Sequence, residues 1–186
     1  QQSNYLTHGF WDDTGNNTRS WDLSEETGSS GKITYNFSSH YYDADGITSA
    51  RQSLFEDAFD YITDVTGIQF IETVSYYNPN LYITDEYDGA YSASAGTVSD
   101  GHETSSRGLI NVNKVWTGES DPNGYTFQTI IHEIGHALGL GHMGNYNAGS
   151  GTPTYTNSAH FENDSWQNSI MSYWSQSNNT TVDASY

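Results

Sequence analysis

The sequence predicts an α+β domain: a mixed sheet with two helices, followed by a loop-built C-terminal part. Three observations carry this expectation. Apolar residues recur at helical spacing from Ser49 to Val65, and a second helix begins near Thr126. Short runs between these segments alternate at the period of a strand. After Gly139 the pattern dissolves into sequence rich in Gly, Asn, Ser and Tyr.

In chain order, residues 1–31 are polar and turn-rich, with DDTGNN and TGSSG as loop signals. KITYNF (32–37) is the first expected strand, alternating Ile33, Tyr35 and Phe37 with polar neighbours. Ala50, Leu54, Ala58, Ile62 and Val65, with Phe55 and Phe59 alongside, then form one apolar stripe. Ser49 with Gln52 makes a capping box and Gly67 a stop, so this is a packing helix without chemistry of its own. IQFIETV (68–74) and LYIT (81–84) read as strands separated by an NPN turn, and AYSASA (90–95) and LINVN (109–113) as two more. A DPNG turn (121–124) leads into the second helix. A long irregular tail in a compact domain points to function or to organisation by a metal.

The chain has 186 residues, enough for one domain with a real core. Lys+Arg number 5 against Asp+Glu 23, a formal net charge of -18. Nucleic acid is excluded as a natural partner, because little is available to neutralise phosphates, and an anionic membrane surface is disfavoured. So acidic a surface serves solubility or a salty exterior. There is no cysteine, so stability must come from the core, from a bound metal, or from both. No apolar run approaches the roughly 18 residues of a membrane-spanning helix. QQSNYLTHGF at the N-terminus has neither a basic region nor an apolar signal core, so the expectation is a secreted, extracellular protein whose targeting segment has been removed.

Three of the seven histidines fall in IIHEIGHALGLGHMG (130–144), at positions 132, 136 and 142. Residues four apart share one helix face, so His132 and His136 can turn imidazole nitrogens toward one metal ion. Glu133 stands beside the first of them, near enough to reach a metal-bound water without ligating the ion. That is the arrangement of a zinc hydrolase: the ion lowers the pKa of the water, and the carboxylate accepts its proton. Gly139 can take a positive φ and end the helix, so that the chain turns back and offers His142 as a third ligand. Three protein ligands leave the fourth position open, as catalytic zinc requires.

SIMSYW (169–174) adds a second feature. Met171 in a tight turn can floor a metal site with a polarizable side chain. Tyr173 can bring its hydroxyl near the metal, as an extra ligand or as a donor to a developing oxyanion.

HExxHxxGxxH followed by such a methionine turn resembles the signature of the metzincin zinc endopeptidases. More narrowly, HEIGHALGLGH, GNYNAG, PTY and IMSYW resemble the serralysin family of secreted bacterial proteases. LTHGFW, KITYNF, TGIQFIET and INVN extend the likeness over most of the chain, least over 12–31 and 96–106. The resemblance implies zinc on His132, His136 and His142, Glu133 as general base, Met171 as the methionine turn, and Tyr173 as a swinging ligand and transition-state donor. It implies a twisted mixed five-stranded sheet with two long helices above an irregular lower lobe, the upper lobe at about 1–139 and the lower at about 140–186. A strand at the cleft edge would pair with substrate, and by position its residues are Ala93, Ser94 and Ala95. Protein or peptide substrates would then be held through main-chain hydrogen bonds with broad specificity.

Two departures from the family pattern are visible. Met143 stands where a proline is usual, and Asn145 where an aspartate is common. Serralysins also continue into a helix closing the lower lobe and into repeats that bind Ca²⁺, which this sequence does not include. The expectation is a catalytic domain that meets a companion chain carrying the rest, or that exposes an apolar patch in its lower lobe. Within the chain, DADG (43–46) and DDTGNN (12–17) faintly suggest calcium loops but lack the full spacing. His8, His40, His102 and His160 read as solvated or locally bonded side chains. Two rivals stay open here: a zinc-bearing binding module that no longer cuts, and a two-carboxylate glycosidase. The first has no need of Glu133; the second leaves three histidines unexplained.

Overall fold

The computed structural model of the chain describes residues 1–24, 30–73, 78–148 and 151–178. Most of TGSSG and the last residue of IQFIETV lie outside the described residues. The chain divides into two units: Gln1–Arg19, Val98–His102 and Gly139–Tyr186 form the first, and Ser20–Thr97 with Glu103–Leu138 the second.

Most residues of the sheet belong to the second unit. The strands are β1 (Thr18–Trp21), β2 (Lys32–Asn36), β3 (Gln69–Glu72), β4 (Leu81–Thr84), β5 (Ala90–Ser99) and β6 (His102–Val112). They run in the order β1-β6-β4-β2-β3, with β5 pairing β6 off that path. β2 is parallel to β3 and to β4, and β4 is parallel to β6, with Tyr82 opposite Leu109 and Ile83 opposite Ile110. Asp100 and Gly101, both at positive φ (51° and 78°), make the two-residue turn between β5 and β6, which sets those strands antiparallel. The sheet is therefore mixed, as expected.

Among the described residues it has six strands rather than five. The extra one, β1, comes from residues read as turn-rich. Thr, Arg and Ser give it no apolar alternation, and its anchor is Trp21, whose indole nitrogen donates to the Ala137 carbonyl at 2.7 Å. β5 and β6 also extend well beyond AYSASA and LINVN. The added part of β5 is exposed and that of β6 is Ser- and Thr-rich and mostly half-buried or buried, so no hydrophobic period marks them.

Two long helices cover this core. The helix of Ser49–Thr66 (α3, after the short N-terminal α1 and α2 described below) buries Leu54, Phe55, Ala58, Phe59 and Ile62, while Val65 in its last turn is 70% exposed. Its cap lies one residue earlier than expected. Thr48 is extended (φ -62°, ψ 153°) and accepts from the Arg51 N–H at 3.3 Å, whereas Ser49 is already helical. Gly67 ends it at φ 77°, a value that suits glycine. The helix of Tyr125–Ala137 (α4) presents Ile130, Ile134 and Ala137 to Ile33, Ile83, Ile110 and the α3 side chains. Arg51, on the face of α3 expected only to pack, is wholly buried; its guanidinium donates to the carbonyls of Val112 (2.6 Å), Asn113 (3.1 Å) and Trp116 (3.3 Å).

The first unit is poor in regular structure. It opens with α1 (Gln2–Asn4), a π-helical turn (Tyr5–Gly9) and α2 (Phe10–Thr14), and holds α5 (Tyr155–Ser158) and a 3-10 turn (Gln176–Asn178). Two apolar clusters organise it: Tyr5, Phe10 and Trp11 with Phe161, and Met143, Tyr146 and Trp174 with Leu6 and Tyr155. No helix among the described residues is long and apolar enough to cross a membrane.

Candidate metal centre

In the second unit, α4 brings His132 and His136 together. Their ring centroids lie 4.6 Å apart with planes at 89°, the consequence of a four-residue spacing on one helix face. Glu133 is 5% exposed and its Oε2 has no hydrogen-bond partner among the described residues. Burial alone pushes its carboxyl up to about 8. A buried carboxyl oxygen without a partner, next to paired imidazoles, is what a site prepared for a metal-bound water would show.

α4 starts from the DPNG turn, where Asp121 Oδ1 accepts from the Asn123 N–H at 2.9 Å. Thr126 Oγ1 then donates to the Thr117 carbonyl at 2.6 Å. The helix stops at Leu138, and Gly139 follows at φ 104°. A Cβ on Gly139 would stand 2.3 Å from the Arg19 carbonyl oxygen, so glycine is required there by space as well as by dihedral.

In the first unit, His142 is 2% exposed and gripped by aromatic rings. Phe10 meets it edge-on at 5.2 Å, Tyr146 stacks on it at 5.3 Å, and Tyr173 lies 4.5 Å away. His142 Nδ1 lies 2.7 Å from the Tyr146 carbonyl oxygen. A carbonyl only accepts, so Nδ1 carries the proton and Nε2 keeps its lone pair, the form a metal ligand needs. The Tyr173 hydroxyl accepts from the Ala148 N–H at 3.1 Å. Met171 is wholly buried, and its N–H donates to Ser169 Oγ at 3.1 Å, closing the turn. The donor chemistry of these residues fits zinc.

The departures from the family pattern are accommodated. Met143 is 1% exposed and packs with Tyr146 and Trp174, so the residue in place of proline fills the core. Asn145 is exposed.

Ala93 and Ala95 are exposed on β5, and among the described residues β5 pairs with β6 alone. Ser94 instead sends its hydroxyl to Glu103 at 2.8 Å. A cavity of about 130 Å³ opens beside this strand, lined by Tyr42, Tyr82, Ala93, Ala95, Arg107 and Leu109. Sequence reasoning missed its two tyrosines and its arginine, which come from separate segments.

The remaining histidines are locally bonded. His8 Nδ1 meets Thr7 Oγ1 and His102 Nδ1 meets Thr18 Oγ1, both at 2.8 Å. His40 Nε2 meets the Ile83 carbonyl at 2.9 Å, and His160 stacks on Tyr5 at 4.3 Å. In DADG, Asp43 Oδ1 accepts from the Gly46 N–H at 2.7 Å and its Oδ2 from the Asp85 N–H at 3.2 Å, and the carboxylates of Asp43, Asp85 and Glu86 lie close enough together to hold a cation.

Comparison with known proteins agrees with the resemblance read from the motifs. The family model described as Peptidase_M10, matrixin, matches residues 25–175. The chain is 40% identical to metallopeptidase AprA of Pseudomonas marginalis over 121 residues, 62% of this chain and 25% of that protein. It is 45% identical to serralysin B of Dickeya chrysanthemi over 89 residues, 48% of this chain and 18% of the relative. A solved structure, high choriolytic enzyme 1, a hatching-enzyme zinc-protease of the medaka Oryzias latipes, aligns over 67% of this chain and 50% of that one, at 21% identity and a TM-score of 0.42. That structural likeness is weak, and the assignment rests on the family match. The matched region takes in 25% or less of the length of these curated relatives. With residues 25–175 inside the family's model, this chain belongs to the matrixin family of peptidases (Peptidase_M10).

Proposed function

We propose that the chain is the catalytic part of a secreted zinc-dependent endopeptidase, with His132, His136 and His142 as the zinc ligands. The observation that carries the reading is Glu133: a buried carboxyl whose Oε2 has no partner among the described residues, next to a pair of histidines on the same helix. The spacing of HExxHxxGxxH and membership of a peptidase family support it.

Zinc bound there supplies Lewis acidity, enough to bring the pKa of a water to about 7. Glu133 then accepts the water's proton at its buried carboxyl and passes it to the leaving amine as the C–N bond breaks. Tyr173 donates its hydroxyl to the oxyanion of the tetrahedral intermediate, leaving the Ala148 N–H that holds it at rest. Substrate adds as a strand along β5 at Ala93, Ser94 and Ala95, so that backbone pairing gives broad specificity. Its natural substrates are extracellular proteins.

The test is casein hydrolysis with and without a chelator, for the parent chain and for Glu133→Gln. The reading expects hydrolysis that chelation abolishes, and a variant that binds zinc but barely cuts. Polysaccharide cleavage insensitive to chelation would replace it with a glycosidase. Zinc binding without any cleavage by the parent would leave a binding module.

A further inference from the structure

Asp164 is wholly buried in the first unit, and the mechanism above gives it no task. Its carboxylate faces the hydroxyl of Tyr146, whose Oη stands 3.2 Å from Oδ1 and 3.0 Å from Oδ2. Tyr146 is itself only 2% exposed. The same tyrosine holds His142 twice, through the 2.7 Å bond from Nδ1–H to its carbonyl and through ring stacking at 25°. On the other side, the side chain of Ser172, itself only 2% exposed, favours the charged form of Asp164 against its burial. Ser172 stands between Met171 and Tyr173, and its hydroxyl accepts from the Trp174 N–H at 3.1 Å. One buried carboxylate thus joins the segment after His142 to the turn that carries Met171 and Tyr173.

An apolar side chain would fill this volume without the desolvation cost of a carboxylate. The acid therefore has a task that packing does not explain. We propose that Asp164 is a positioning residue for the metal site: through Tyr146 it sets the tautomer and ring orientation of His142, and through Ser172 it ties the methionine turn to the same anchor. The proposal rests on His142 being a metal ligand. Partners that orient a liganding histidine typically change metal affinity by 10–100-fold when removed.

The experiment measures zinc affinity by competition with a chromophoric chelator, in the parent and in Asp164→Asn, Tyr146→Phe, the double variant and His142→Ala. Thermal melting of each metal-free protein is followed alongside, and the visible spectrum of the Co²⁺ form reports ligand geometry. Asp164→Asn and Tyr146→Phe should each weaken zinc about 10–100-fold and shift the Co²⁺ spectrum; Asp164→Asn should melt close to the metal-free parent, and Tyr146→Phe somewhat lower because it takes a partner from the buried carboxylate. The double variant should be no worse than the poorer single one, because both act on one path. Unchanged zinc affinity and spectrum in both single variants, with His142→Ala impaired, would overturn the positioning role and leave the ligand set standing. Unchanged zinc binding in His142→Ala would overturn the ligand set itself, and this proposal with it. Should Asp164→Asn fail to fold, Tyr146→Phe carries the same test without touching the carboxylate.

Discussion

The indole nitrogen of Trp11 donates to the carbonyl of Gly139 at 3.0 Å, binding the N-terminal helix to the residue that follows α4. Trp11 is also covered by the guanidinium of Arg19, 4.5 Å from its ring centroid. Three parts of one unit, at positions 11, 19 and 139, converge on this point. It sits three residues before His142, so the backbone leading into that histidine is anchored here.

Gly139→Ala should therefore damage more than a helix end. The methyl group would meet the Arg19 carbonyl oxygen at 2.3 Å, and alanine at φ 104° is strained wherever it sits. The expected loss is about 2–4 kcal/mol, combining dihedral strain with a backbone clash. Urea denaturation of the metal-free chain measures it. A loss below about 1 kcal/mol would mean that the Arg19 segment yields easily.

Glu133→Gln separates activity from stability. The exchange keeps the shape of the side chain but removes the base, so peptide hydrolysis should fall by about 10²–10⁴-fold. The metal-free protein, in contrast, should be at least as stable as the parent near neutral pH. Glutamine spares the fold a buried carboxyl whose Oε2 has no partner among the described residues. A large drop in melting temperature would show that Glu133 holds the helix in place, and the lost activity could then not be assigned to chemistry.

Arg51 is the structural counterpart of these site residues. Its guanidinium donates to three backbone carbonyls at and just after the end of β6, with Asp85 4.0 Å from Nε and Glu119 3.8 Å from Nη2. Arg51→Met would preserve much of the volume but leave a buried carboxylate and these carbonyls unsatisfied. The expected cost is roughly 3–5 kcal/mol. Zinc affinity should change little if the variant still folds, because α4 is held by its own apolar contacts. Equal damage to affinity would tie the segment after β6 to the metal site.

What could be read in the sequence follows from how local its causes are. The stripe from Leu54 to Ile62, the stop at Gly67 and the start of α4 near Thr126 each depend on a few neighbouring residues, and each appears where the pattern put it. His132 and His136 share a face because the helix repeats every 3.6 residues. β1 was illegible because its partner strand is about 80 residues away and its own residues are polar. The same holds for Asp164, an aspartate in an irregular segment whose role depends on Tyr146, 18 residues earlier. Arg51 gives no local signal within the packing helix, because the carbonyls it serves lie over 60 residues on. Long-range polar contacts leave no periodic trace, so the histidine motif was plain while the buried polar residues far from it in sequence were not.

Asp85 gives the fold a pH dependence of predictable sign. It is 2% exposed, and burial, reinforced by Asp43, pushes its carboxyl up to about 6 despite the opposing Arg51. In the unfolded chain the group returns to the ordinary aspartate value of 3.8. Between these values the folded protein binds a proton that the unfolded chain has released, so stability falls as pH rises from about 4 to 6. The decline amounts to at most about 3 kcal/mol and levels off above pH 6. Asp85→Asn cannot titrate. Arg51 stays charged throughout, so the loss of its partner offsets the variant by a constant amount. The melting temperature of the variant relative to the parent should therefore climb between pH 4 and pH 6 and then stay level. A difference independent of pH would mean that Asp85 is ionised in the folded protein across this range, held there by Arg51 more strongly than burial opposes it.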